Sequence, residues 1–403
     1  MAGMFRNFGL EDFTDDDTLH GLVAYAAQNG KEIFGYGNNP YIYMSLGDAE
    51  LFLSAEETDD NNFEIKSINT HCGNQCVWNV VNTGIDLTPK DSPKSEKTLL
   101  VENESEPKSI VPVNLITADV LPSFSEADKY ELQVTALPYT IEYFKDHDEY
   151  EQAQPEAKDG HKWLLENGSL IPLSFLHNHM TEVYERGREY EDDDEVVFTA
   201  TVQKVLSGEL EIAGEKCITF IRCFADTIFG RLEFDHTIDQ VPEELRKNIK
   251  EGAIICGTCI ISADAAINKY ENGIVKDPEH NIRLLRYSLE KGDINRLASV
   301  LTERTELKDH INSEKARGTT DIIKKLTDLK AFVKSKTETY TTLFATAERK
   351  ECSESDITEK CIVFSDKNEK ILDYAVFATT NENGDISQIS IENAAKVLIK
   401  IDG

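Results

Sequence analysis

The chain has 403 residues, 40% of them hydrophobic, with 42 Lys and Arg against 74 Asp and Glu and a formal net charge of −32. That apolar share excludes a wholly disordered chain, and no run of about 18 apolar residues marks a membrane-spanning helix. Residues 281–403 hold 20 basic and 21 acidic residues, so nearly all the net negative charge lies in the first 280, where it repels nucleic-acid phosphates and anionic membranes.

At about 100–200 residues per domain, two to four domains are expected. The opening "MAGMFRNFGLEDFTDDD" lacks a basic segment followed by an apolar one, so no secretory signal is read and a cytoplasmic, bacterial protein is expected. The sequon at Asn167 then carries little weight, and reduced thiols are the default for the eight cysteines.

The first predicted element is a helix in "TDDDTLHGLVAYAAQNG". Thr14 is its candidate cap, Asp15, Asp16 and Asp17 favour its N-terminal dipole, and Leu19, Leu22, Val23 and Ala26 form its apolar stripe. Gly30 closes it. The period then changes to two, and "KEIFGYG", "PYIYMSL", "AELFLSA" and "NFEIKSI" read as antiparallel strands. Residues 86–109, rich in Pro, Ser, Lys and Glu, read as a long loop or hairpin tip, and "YELQVTALPYTIEYF" returns to strand character. The polar stretch 145–160 marks the first domain break, giving an N-terminal α+β domain over 1–155.

A β-rich domain over 156–278 follows. Its strands are "EVVFTATVQKVLS", "ELEIAGEKCITFIRCF", "TIFGRLEF" and "AIICGTCIIS", with a helical piece "PEELRKNIK" before the last. Over roughly 190–265 this pattern is similar to an OB-like, barrel-like domain. From residue 279 the character changes again. "LEKGDINRLASVLTE" reads as a helix pair, "RGTTDIIKKL" as a glycine-then-helix step capped by Thr319 or Thr320, and four period-two runs close the chain, the last two joined by the turn "TNENGD".

That order over 279–403 resembles the NTF2-like, or SnoaL-like, cone superfamily. The resemblance implies a curved sheet wrapped on helices around a pocket. The superfamily holds isomerases, dehydratases and hydrolases beside non-enzymatic binding modules, so the fold selects no chemistry. Tyr287, Tyr340, Asp373 and Tyr374 are the candidate pocket residues it implies. Cones of this kind commonly pair, so a homo-oligomer is compatible with the reading. His310 in "LKDHINSEK" reads as a solvated histidine among charges.

Two cysteine pairs invite a metal or redox reading. "HCGNQC" offers His71, Cys72 and Cys76, and "CGTC" offers Cys256 and Cys259. A zinc knuckle repeats within tens of residues, and these pairs are far apart, so no zinc site is expected from spacing. Thioredoxin-type motifs sit at a strand-to-helix junction, whereas the flanks "AII" and "IIS" make this a buried strand with Cys256 and Cys259 on opposite faces. His177 and His179 share a face if they lie on a strand, but further ligands for a metal cannot be named. Asp192, Asp193 and Asp194 lack the alternation and the glycine of a calcium loop. GxxxxGK[ST], GxGxxG after a strand, GxSxG and HExxH are all absent from the sequence. The overall expectation is a multi-domain α+β protein with antiparallel sheets, acting as an interaction or ligand-binding protein. It needs no cofactor, holds no catalytic residue set, and binds a protein partner or a small apolar ligand. The alternatives are a small-molecule enzyme using the cone pocket and an acidic inhibitor of a nucleic-acid-binding protein.

Overall fold

The computed structural model describes residues 6–8, 16–35, 40–57, 63–73, 76–90, 92, 96–105, 109–121, 124–154, 164–175, 194–212, 215–265, 270–271, 274–275, 280–291, 293–337, 339–349, 357–368, 370–381, 385–396 and 398–401. The chain divides into two compact units. Unit 1 comprises Met1–Glu32, Tyr41–Thr58 and Phe63–Ile267, and unit 2 comprises Ile33–Pro40, Asp59–Asn62 and Asn268–Gly403. Both mix helix and sheet, as the α+β expectation required. Among the described residues no helix is long and apolar enough to cross a membrane.

Unit 1 begins with helix α1 (Asp16–Asn29), followed in the chain by β1 (Lys31–Phe34), β2 (Pro40–Leu46), β3 (Ala49–Glu57) and β4 (Phe63–Cys72). The strands β2, β3 and β4 pair antiparallel in succession. Leu22 and Ala26 of the helical stripe bury against Ile42, Met44, Leu51 and Leu53, which is where the 3.6-residue period directs them. Residues 14 and 15, expected as cap and first turn, lie outside the described residues. At Gly30 a Cβ would stand 2.5 Å from the Ala26 carbonyl oxygen, so the helix ends where only glycine fits.

The large sheet of unit 1 contains β5 (Val77–Asp86), β6 (Lys97–Asn103), β7 (Ile110–Leu115), β8 (Lys129–Phe144), β9 (Leu170–Pro172), β10 (Val196–Ile212), β11 (Glu215–Thr227), β12 (Gly230–His236) and β13 (Ile254–Asp264), with the short helix α2 (His147–Ala153) after β8. Two expectations change here. Strand β6 lies inside the stretch read as a long loop or hairpin tip. Its "TLLV" core alternates into the interior and pairs with both β5 and β7, although the Pro, Ser and Lys residues around it hide the period. The break placed at 155 does not separate compact units either, because β8 pairs with β5 on one edge and with β13 on the other. Residues on both sides of 155 therefore complete one another's hydrogen-bond ladders. The strands β10, β11, β12, β8 and β13 pair in a ring. Its junction between β12 and β8 is a single register position, Phe234 with Ala136, so the barrel expected over 190–265 is not closed.

"AIICGTCIIS" is strand β13, as its flanks indicated. A Cβ at Gly257 would sit 2.0 Å from the Thr140 carbonyl oxygen, so the glycine between the cysteines permits the close approach of β8. Pro138 in the middle of β8 is accommodated by a register shift against Thr258 and Cys259. Its carbonyl accepts hydrogen bonds from Asn7 and Gln240 side chains, at 2.9 Å each.

Unit 2 contains the two-residue strands β14 (Tyr270–Glu271) and β15 (Ile274–Val275), helix α3 (His280–Glu290), β16 (Leu301–Asp309), β17 (Glu314–Arg317), helix α4 (Thr319–Lys336), β18 (Tyr340–Arg349), β19 (Ile357–Asp366), β20 (Ile371–Thr380), β21 (Ile386–Asn393) and β22 (Leu398–Ile401). Its seven-stranded sheet runs β17-β16-β21-β20-β19-β18-β22, with β16 parallel to β21. Leu284, Leu285 and Leu289 of α3 and Ile322, Leu326 and Val333 of α4 bury against Phe344, Phe364, Val376 and Ile389 of the sheet. A smaller cluster with Ala345, Val363, Ala375 and Phe377 uses the alternate residues of the same strands. Gly318, not Thr319, occupies the cap position of α4, at φ +81°, and the Thr319 hydroxyl donates instead to the Leu301 carbonyl at 3.3 Å.

Candidate functional site

The four residues expected to line a pocket in the C-terminal part have four different settings. Tyr287 is fully buried in the core, with its ring 4.8 Å from that of Phe34. Tyr340 donates its hydroxyl to the Leu289 carbonyl at 2.6 Å, the end of α3. Asp373 is exposed. Tyr374 lines a groove of about 220 Å³ with Asp309, Lys325 and Phe332. The cavity between Ile282, Phe344, Ile362 and Val376 measures about 30 Å³, room for about one water. His310 is exposed, as its charged neighbours implied.

A wider opening than either that groove or that cavity lies in unit 1. A cleft of about 730 Å³ is lined by Gly73, Cys76, Gln203, Lys204, Arg222, Phe224, Arg231 and Glu251. The lining comes from β10, β11 and β12, the segment after β4 and the turn before β13. On β10 the bulge between Val202 and Lys204 breaks the alternation, which leaves Gln203 and Lys204 both exposed. Arg222 lies on β11 and is only 13% exposed. Its Nη1 donates to Asp48 Oδ1 at 2.9 Å, its Nε donates to Glu233 Oε1, and its guanidinium carbon stands 5.8 Å from the Phe224 ring centroid. Two acids thus hold the planar fork in one orientation. Arg231 is more open and lies 3.5 Å from Asp226.

Behind Arg222 is an interior that sequence reasoning did not reveal. Glu233 and Asp235, two apart on β12, share a face and are both fully buried. Cys72, the last residue of β4, is fully buried beside them and donates to the Asp48 carbonyl at 3.0 Å. Among the described residues, these three are a group whose ligand-capable atoms all lie within 4.8 Å of one another. Burial, then the Glu233 charge, pushes the Asp235 carboxyl well above its ordinary range, against the opposing pull of Arg222. Burial, with Asp235 and Glu233 next, likewise pushes up the Cys72 thiol. The signal lies in "LEFDH", where two acids alternate inside a strand otherwise made for burial.

Three other thiols of unit 1 are held in the protonated form. Burial raises Cys76, Cys223 and Cys256 to about 12 each, so none is a thiolate nucleophile near neutral pH. Cys256 packs against Phe144, Tyr150 and Ile254, whereas Cys259 is fully buried outside that cluster, and neither joins Cys72. His71 donates or accepts at Ser262 Oγ, 3.0 Å away, and burial lowers it to about 3, so it is neutral. His177, His179, Asp192 and Asp193 lie outside the described residues. Asp194 accepts from the Asn114 side chain at 2.7 Å.

No protein-family model matches the chain, and no curated protein does. A solved structure of an NTF2-like protein of unknown function from Exiguobacterium sp. 255-15 is 13% identical to it, over 27% of this chain and 91% of the other, with a TM-score of 0.19. At that score the likeness carries no argument about this fold.

Proposed function

We propose that this chain is a ligand-binding protein, and that its ligand is a small anion bearing a carboxylate or phosphate, seated in the cleft of unit 1. The observation that carries the reading is the convergence of Lys204, Arg222 and Arg231 on one cleft in a chain of net charge −32. These three cations stand in the cleft beside one acidic lining residue, Glu251, and Lys204 and Arg231 are the two that offer charge to an incoming anion. The cleft volume lies in the ordinary range for small-molecule sites. Arg222 is already oriented by Asp48 and Glu233, so little side-chain freedom is lost when it receives a planar anion. Phe224 and Gln203 supply an apolar surface and a neutral polar group beside the charges.

The reading places the protein in the cytoplasm and gives the C-terminal unit, as an NTF2-like cone, a structural rather than a pocket role. The filled interior around Tyr287, Phe344 and Phe364 supports that division. Titration calorimetry against carboxylate- and phosphate-bearing compounds tests the proposal. Lys204→Ala and Arg231→Ala should each weaken binding by about 5–30-fold, as the loss of a charge-assisted contact implies. Binding that is indifferent to both substitutions, or no binding by any anion, overturns it.

A further inference from the structure

We infer that Cys72, Glu233 and Asp235 form a binding site for one divalent transition-metal ion of zinc-like softness. The inference stands on three observations and does not depend on the anion-binding reading of the cleft.

The first observation is the donor set. One thiol and two carboxyl groups, from the end of β4 and one face of β12, bring their ligand atoms within 4.8 Å of one another. Tetrahedral zinc, with bonds of about 2.0–2.3 Å, holds its ligand atoms roughly 3.3–3.6 Å apart; Cys72 Sγ and Glu233 Oε1 already stand 3.6 Å apart, and the other separations need to close by at most about 1.5 Å. Sulfur beside carboxylate oxygen suits zinc better than magnesium or calcium, which take oxygen ligands alone.

The second observation is orphaned polarity. Glu233 Oε2 and both side-chain oxygens of Asp235 are buried with no hydrogen-bond partner among the described residues, and both residues are 0% exposed. Three unmatched carboxylate oxygens in one place are expensive to desolvate. A cation between them would satisfy all three.

The third observation is charge and access. The three ligands carry three negative charges when ionised, and Arg222 contributes one positive charge at Glu233. A divalent ion brings the sum to zero. Arg222 and Gly73, the residue after Cys72, both line the open cleft, so the donors lie next to a solvent-filled entrance. Arg222 also fixes the Glu233 carboxylate by its Nε, the kind of outer contact that orients a metal ligand. Three protein ligands leave a fourth position for water or a bound molecule.

The test uses the full-length chain, freed of metal by a chelator and titrated with Co²⁺ and then Zn²⁺. One equivalent of Co²⁺ should bind with the sulfur-to-cobalt charge-transfer band that thiolate ligation produces, and Zn²⁺ should displace it. Cys72→Ser should abolish the band, whereas Cys256→Ser should leave it intact. Asp235→Asn should weaken Zn²⁺ binding by about 10-fold or more while thermal unfolding shows the variant still folded. Absence of the band, its survival in Cys72→Ser, or unchanged Zn²⁺ affinity in a folded Asp235→Asn each overturns the site. If Cys72→Ser fails to fold, the Asp235→Asn titration decides alone.

Discussion

The Tyr43 hydroxyl donates to Glu50 Oε1 at 2.9 Å across the β2–β3 pair, and Glu50 nonetheless titrates at about 7, because burial and then the Asp264 charge outweigh the hydrogen bond. A carboxyl raised in this way binds its proton more tightly folded than unfolded. Its contribution to stability is full below the unfolded value near 4.5 and is lost as pH rises through about 7. Glu50→Gln should therefore flatten the decline of stability between pH 4.5 and 7. At pH 8 it should raise the unfolding free energy by about 1–3 kcal/mol, the scale of a shift of about two units. Urea unfolding at a series of pH values is the measurement, and an unchanged slope contradicts the assignment.

Arg222 bridges Asp48 and the fully buried Glu233. Arg222→Met removes the partner and leaves Glu233 buried and uncompensated, which should cost about 3–5 kcal/mol. Arg222→Lys should recover only part of this, since a single ammonium cannot donate in the two fixed directions of the fork. The double variant Arg222→Met with Glu233→Gln should be more stable than Arg222→Met alone. Denaturant midpoints at constant slope report all three.

Gly257→Ala places a methyl group 2.0 Å from the Thr140 carbonyl oxygen, where backbone must move to admit it. A loss of more than about 3 kcal/mol, or failure to fold, is expected from such overpacking between β13 and β8. Cys256→Ala next to it, which trims a partly exposed thiol, should cost about 1 kcal/mol or less. Thermal unfolding of the pair compares a backbone clash with a lost contact at neighbouring positions.

In unit 2, Tyr287→Ala should remove a fully buried ring and cost about 3–5 kcal/mol, and Tyr340→Phe should cost about 1 kcal/mol by freeing the Leu289 carbonyl. Neither should change anion binding at the cleft if the two units divide the work as proposed. Calorimetric titration of the folded Tyr340→Phe variant checks that separation.

Local pattern was readable wherever a side chain's burial follows from its own neighbours in sequence. The stripe of Leu22 and Ala26, the strand character of "AIICGTCIIS" and the strands around "TNENGD" emerge from period and turn chemistry alone. Strand β6 is hidden because its three apolar residues, Leu99, Leu100 and Val101, sit among breakers, and only pairing with β5 and β7 makes them a strand. The continuity of unit 1 was invisible for a related reason. Whether β8 pairs with β5, with β13 or with both is set by which edges are left open once the chain collapses.

The candidate site marks the same boundary. Composition and order along the chain dictate an acidic α+β protein and a strand over "TIFGRLEF" that reaches Glu233 but stops short of Asp235. Only the fold brings Cys72, some 160 residues away, against Glu233, and sets Arg222 between that pair and the cleft. Periodicity acts between residues a few positions apart, whereas desolvation and Coulomb interaction act through space, so the chemistry of these side chains becomes defined only after distant strands have met.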